Sequence, residues 1–176
     1  SMADRICVLD RGHVQQVDTP DEVYNRPVNT FVATTVGMPP MNLVPVRVEG
    51  ENGRVQLAAS SFSLGAALDS RVESIAAHAG QELQIGVRPE DIRVGADASE
   101  AALRCRVIAV EPLGGEAIID LDLDGKIVKA MTPPDVEFRP DEVIPVAFDL
   151  SRIHLFGADG QSVYAAGGAT TFAPAA

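Results

Sequence analysis

The sequence predicts a mainly β protein, a small barrel or sandwich preceded by a short α/β segment. Three observations predict it. Beyond Asn42, short apolar stretches alternate with turn residues, the pattern of a small all-β domain. Hydrophobic residues make up 46% of the 176-residue chain but aromatics only 5%, with no Trp, which indicates a core of aliphatic side chains. Before residue 40 the pattern differs: a hairpin and two short helices, closed off by Pro39 and Pro40.

In chain order, Ile6–Leu9 and His13–Val17 read as two strands around an Asp10-Arg11-Gly12 turn. Thr19 caps a helix opened by Pro20, with Asp21 and Glu22 in its first turn, where acidic side chains suit the helix dipole. That helix ends before Pro27. A second covers Phe31–Val36 and stops at Gly37. Prolines 39 and 40 force an extended crossing, the expected domain boundary. Strands follow at Leu43–Val48, Arg54–Leu57, Leu83–Val87, Leu103–Val110, Ala117–Leu123, Ile127–Met131 and Val143–Phe148. In the last of these Ile144, Val146 and Phe148 share a face. Residues 66–79 carry helical spacing at Leu68, Val72 and Ile75, with Gly80 as a stop. From Ala165 the chain is Ala, Gly, Thr and Pro with little to bury, and a mobile tail is expected. The expected division is therefore residues 1–40, 41–164 and 165–176.

A net charge of -11 argues against a nucleic-acid surface or an anionic-membrane surface, both of which need clustered Lys and Arg. No apolar run approaches the ~18 residues of a membrane span, and the start of the chain has no signal-peptide pattern. Membrane association is thus expected to come through a partner. Cys7 and Cys105 lie in apolar strand contexts with no C-x-x-C pair, so two buried, reduced cysteines are expected.

The catalytic search turns up absences. The sequence holds no G-x-x-x-x-G-K-[ST] loop to cradle phosphates. His13, His78 and His154 lack zinc-ligand spacing, and there is no G-x-S-x-G elbow. No catalytic, cofactor-binding or metal-ligating residue is assigned. Asp120-Leu121-Asp122-Leu123-Asp124-Gly125 matches the first half of a calcium loop, but the twelfth position, which should supply a bidentate Glu, is Met131. Ile119, Leu121 and Leu123 alternate with the aspartates, which places the carboxylates on the solvent face of a strand, with Asp124-Gly125 a hairpin turn.

Four clusters carry a family resemblance. Ala3–Gly12 (ADRICVLDRG), Thr19–Tyr24 (TPDEVY), Phe31–Ala33 (FVA) and Gly37–Asn42 (GMPPMN) together form the first. The others are Gln84–Ile92 (QIGVRPEDI), Val110–Glu116 (VEPLGGE) and Arg152–Phe156 (RIHLF), the last followed by an Asp159-Gly160 turn. In this order they resemble the C-terminal part of the ATPase subunits of ABC importers of the sugar and glycerol-phosphate type. The resemblance covers roughly residues 2 to 160 and is weakest between Val48 and Gln81.

The resemblance implies an OB-like (transport-associated OB, or MOP-like) barrel preceded by the end of a nucleotide-binding domain. It implies a regulatory and dimerising region whose parent binds ATP and magnesium, while this segment itself binds no cofactor. It further implies a homodimer, permease partners, a possible regulatory protein, and a peripheral place on the cytoplasmic side of the inner membrane. Gly86, Arg88, Pro89, Glu90, Gly114, Glu116, Arg152 and Phe156 are the candidate structural or interface positions. Arg88 is expected to pair with Glu90 or cap nearby carbonyls, and a dimer contact is expected near Gly114, Glu116 and the Arg152–Phe156 strand. Two other classes stay open: a small-ligand or oxyanion-binding barrel, which the acidic strands and the lack of a Lys-Ser-rich strand pair disfavour, and a ligand-free interaction domain.

Overall fold

The structure, a computed structural model, describes residues 3–51, 54–60, 62–64, 75–95, 98, 103–135 and 137–164. It opens with a hairpin of β1 (Ile6–Asp10) and β2 (His13–Asp18), paired antiparallel. Arg11 and Gly12 both have positive φ, 49° and 84°, which gives the tight turn its twist. Thr19 caps α1 (Pro20–Asn25) by accepting a hydrogen bond from the Glu22 N–H. The second helix, α2 (Thr30–Thr35), starts one residue earlier than expected because Asn29 is its cap and accepts from Val32 N–H at 2.9 Å. Val8, Val23 and Val32 bury against one another in a small core of this segment.

Cys7 departs from expectation. It is exposed, while Cys105 is buried, and burial pushes the Cys105 thiol up to about 11. The reason is geometric. The hairpin covers one face only, so Val8 turns inward while Cys7 and its neighbour Leu9 turn outward, opposite Val17 and Val14.

The remainder is two antiparallel sheets around one core. The first has the order β13-β12-β6-β3-β4-β5 and the second β10-β9-β8-β11-β7. Their strands are β3 (Asn42–Glu51), β4 (Arg54–Ala58), β5 (Ser63–Leu64), β6 (Glu82–Val87), β7 (Ile92–Val94), β8 (Leu103–Pro112), β9 (Ala117–Leu123), β10 (Lys126–Thr132), β11 (Val143–Phe148), β12 (His154–Phe156) and β13 (Ser162–Tyr164). Val44, Val46, Ile85 and Leu155 from the first sheet meet Val107, Ile119, Leu121 and Val146 from the second in one aliphatic cluster. The mainly β class is as the sequence indicates.

The Asp120–Gly125 stretch is strand and turn. Asp120 meets Lys129 at 2.5 Å, and Asp122 meets Arg106 at 2.8 Å and the Gly125 N–H at 2.7 Å. Asp124 and Gly125 adopt φ of 55° and 80°, the hairpin geometry. Of the helix expected over residues 66–79, Ile75 is seen and is 1% exposed in the core; residues 66–74 and the tail from 165 lie outside the described residues.

One side chain fastens the two sheets at their seam. Asn42, at the start of β3, accepts from Lys129 N–H at 2.8 Å and donates to Lys129 C=O at 2.8 Å and Val87 C=O at 3.2 Å. Its amide thus pairs with the free side of β10 as a neighbouring strand would. No helix among the described residues is long and apolar enough to cross a membrane.

Candidate functional site at the helix–barrel corner

β6 runs into the barrel and ends at Val87. Pro89 then opens a single 3-10 turn, Pro89–Asp91, and its ring holds Arg88 extended at φ -72°, ψ 147°. From that position Arg88 points into the two helices and is only 2% exposed. Its Nη1 donates to Val36 C=O at 2.6 Å and Ala33 C=O at 3.2 Å, and its Nη2 donates to Tyr24 C=O at 2.6 Å. These carbonyls belong to the C-terminal ends of α1 and α2, which lack partners within their own helices and carry partial negative charge. The rigid fork of a guanidinium suits three such acceptors.

The ring of Tyr24 lies under the guanidinium, 3.9 Å from centroid to Cζ. Its hydroxyl donates to Glu90 Oε1. Burial, followed by that bond, pushes the Tyr24 hydroxyl up to about 12. Burial also pulls the Arg88 pKa below its ordinary value, opposed by Tyr24, Glu90 and Asp91. Of the two expectations for Arg88, carbonyl capping is what the structure places here; Glu90 is engaged by Tyr24.

Two glycines make room for this packing. At Gly37 a Cβ would stand 2.7 Å from Arg88 Nη1, and φ there is +113°. At Gly86 a Cβ would stand 2.5 Å from Met41 Sδ and 2.7 Å from Phe156 Cε2. On the far side of the 3-10 turn, Arg152 Nε meets Asp91 Oδ1 at 2.6 Å. Burial raises the Asp91 pKa in spite of Arg152. The nearby Asp149 carboxyl is held low by the Ser151 hydroxyl, 2.6 Å away. Between α1 and this corner lies a polar cleft of about 310 Å³, bordered by Glu22, Arg26, Arg88, Asp91, Arg152 and His154. Arg26 pairs with Glu22 at 3.1 Å, so most of the charge facing the cleft is already matched.

The structure therefore gathers Gly86, Arg88, Pro89, Glu90, Arg152 and Phe156 at one corner. Gly114 and Glu116 sit elsewhere, at the exposed turn between β8 and β9, where Leu113 N–H donates to Glu116 C=O at 2.8 Å. Phe156 is fully buried, and β12 lies between β6 and β13 in the sheet. Ile153 to Phe156 are thus buried inside the protomer, while Arg152 stays exposed at the start of this stretch. Tyr24, Asn42 and Asp91 are site residues that the sequence analysis does not single out; the available signal is that each stands in one of the motifs carrying the family resemblance.

Residues 37–92 match the MalK OB fold domain family, and residues 85–156 match the TOBE domain family. The two overlap at 85–92, the segment that carries Arg88. Together the two domain matches span residues 37–156 of this chain. The OB-like reading of the barrel is thereby settled.

Among its relatives, the sulfoquinovosyl glycerol transport ATP-binding protein SmoE of Agrobacterium fabrum is 37% identical over 161 residues, 90% of this chain and 43% of that protein. The trehalose/maltose import ATP-binding protein MalK of Thermococcus litoralis is 36% identical over 163 residues, 89% of this chain and 43% of that protein. The sn-glycerol-3-phosphate import ATP-binding protein UgpC of Brucella abortus is 35% identical over 171 residues, 93% of this chain and 43% of that protein. The chain thus spans less than half the length of the curated relatives it matches.

Proposed function

We propose that this chain is the regulatory and dimerising region of the ATP-binding subunit of a bacterial ABC importer for a carbohydrate, a polyol or glycerol phosphate. The observation that carries the reading is the extent of the match: relatives at 35–37% identity cover 89–93% of this chain, reaching beyond the two domain matches at 37–156. In this reading the parent protein hydrolyses ATP with magnesium, and does so outside the residues present here. The chain's one Gly-Lys pair, Gly125-Lys126, is the β9–β10 hairpin turn followed by Ile127. It offers no glycine-rich loop opening a helix, so it does not fit a nucleotide phosphate.

The partners follow from the same reading: a second copy of the subunit, the permease subunits it drives, and a regulatory protein docking on the barrel. The location is the cytoplasmic face of the inner membrane, held there by the permease. The test is genetic and physical together. Deleting the gene should abolish uptake of one among labelled trehalose, maltose, α-glucosides and sn-glycerol 3-phosphate. The isolated chain should give no saturable signal with a fluorescent ATP analogue. Unchanged uptake of all four, together with calorimetric binding of molybdate or sulfate by the chain, would replace the proposal with the oxyanion-binding reading.

A further inference from the structure

We propose that Arg88 is a reversible latch: it pins the helical segment 19–36 to the barrel, and its release lets that segment swing as a unit about residues 37–41. The inference does not depend on the transport reading. It rests on how the segment is attached. Covalently, the connection is a single crossing whose Met38 is 94% exposed, so the crossing itself packs on nothing there. Away from the latch, Ala33 of α2 packs with Met41 and Phe156 in a small apolar cluster, and backbone bonds join the segment to the β12–β13 turn: Thr30 N–H to Gly160 C=O and Ser162 N–H to Val28 C=O, each at 2.9 Å, with a bridge between Asn29 and Gln161. That turn leads to β13, a three-residue edge strand, and edges open most easily.

Arg88 is rooted differently. It follows β6, which lies between β12 and β3, and its side chain bonds to the ends of both helices. Tyr24 doubles the attachment, stacking on the guanidinium and bonding to Glu90 across the same gap.

The latch is also poised to open. Arg88 Nε is buried and has no hydrogen-bond partner among the described residues, so the docked state carries an unsatisfied donor. Burial works against the charge as well, as its lowered pKa records. Withdrawal into the adjoining polar cleft would hydrate Nε and the charge together, offsetting part of the loss of three carbonyl bonds. A side chain that is held strongly at its terminal nitrogens and poorly at Nε has two tenable states.

Hydrogen exchange on the whole chain tests this. Arg88→Gln should speed exchange of amides in 19–36 about tenfold or more, while amides of β9 and β11 keep the parent rates. A spin-label pair at native Cys7 and at Lys126→Cys should show a broadened distance distribution in the same variant. Gly37→Ala, which drives a methyl toward Nη1 without touching the barrel core, should reproduce both effects and serves if Arg88→Gln does not fold. Equal acceleration of helices and barrel, or no acceleration in 19–36, would overturn the latch. Full protection in Arg88→Lys would overturn its dependence on the guanidinium fork.

Discussion

The corner at Gly86–Asp91 and the turn at Glu111–Glu116 look alike in the sequence: each sets glycine, proline and glutamate at the end of a strand. In the structure they are opposites. At the corner, Gly86 and Arg88 are enclosed by residues arriving from positions 24, 33, 36, 41 and 156. At the turn, nothing stands within 4 Å of a Cβ built at Gly114 or Gly115, and Leu113 is 50% exposed. Motif chemistry does not by itself say whether a residue fastens the protomer or faces outward. What decides is whether distant chain returns to cover it. The turn is left for solvent or another subunit, and the corner is internal machinery.

The largest effect should therefore come from filling the corner. Gly86→Val places methyls where Met41 and Phe156 already stand, and overpacking against a buried ring should cost about 3 kcal/mol. Gly114→Ala meets open space and carries only the strain of its φ of +87°, about 1 kcal/mol. Urea denaturation of both variants checks the contrast; equal losses would erase the distinction between the two regions. Next comes the seam. Asn42→Ala leaves the Lys129 N–H and C=O without their partner, at about 2 kcal/mol. Asn42→Asp should fare no better, because a carboxylate faces the Lys129 and Val87 carbonyls with no donor.

Much of the fold was legible because pleat and pattern coincide. In β9 and β11 the buried residues alternate with outward ones, Ile119, Leu121 and Leu123 in one strand and Ile144, Val146 and Phe148 in the other. Strands β5, β7 and β13 escaped notice because two or three residues hold too little pattern; pairing with a neighbour defines them. The site was half legible. Arg88 and its Pro-Glu-Asp turn stood out, but its acceptors lie 52 to 64 positions away, and carbonyl oxygens have no residue type to read. Cys7 was misjudged for a related reason: an apolar strand context does not tell which of two faces is covered.

A smaller effect, of opposite sign at two carboxyls, sharpens the corner itself. Asp91 has a raised pKa, so its ionised form is disfavoured in the fold, and the penalty grows as pH rises through its folded value. Arg152 offsets that penalty, so Arg152→Ala should destabilise at pH 7 and much less near pH 4, where Asp91 takes up a proton. Asp149 has a lowered pKa: its contribution is full above about pH 4 and is lost as pH falls through the folded value. Asp149→Ala should thus differ from the parent at pH 6 and approach it as pH falls below the ordinary carboxylate range. Both gaps should stay below about 1 kcal/mol, since Arg152 is half exposed. Melts across this pH range decide it, and parallel pH profiles for the two variants would contradict the burial argument.

The smallest effect on stability should come from the outward turn, and there the informative readout is association. The five-stranded sheet exposes Ile108, Ile127 and Val143, with Leu113 at its β8–β9 turn, whereas the hairpin exposes Leu9, Val14 and Val17. Either set could be covered by a second copy, and a two-fold contact would bury the same patch on both. Charge opposes it, at -11 per chain, and is screened over about 8 Å at physiological salt. Leu113→Ser with Ile127→Ser should leave the melting curve within about 0.5 kcal/mol of the parent. In sedimentation at micromolar protein the parent should run near twice the monomer mass and this double variant near the monomer. Leu9→Ser with Val14→Ser should stay dimeric. The reverse outcome would move the self-association surface to the hairpin, and a monomeric parent at 100 micromolar would leave both faces for other partners.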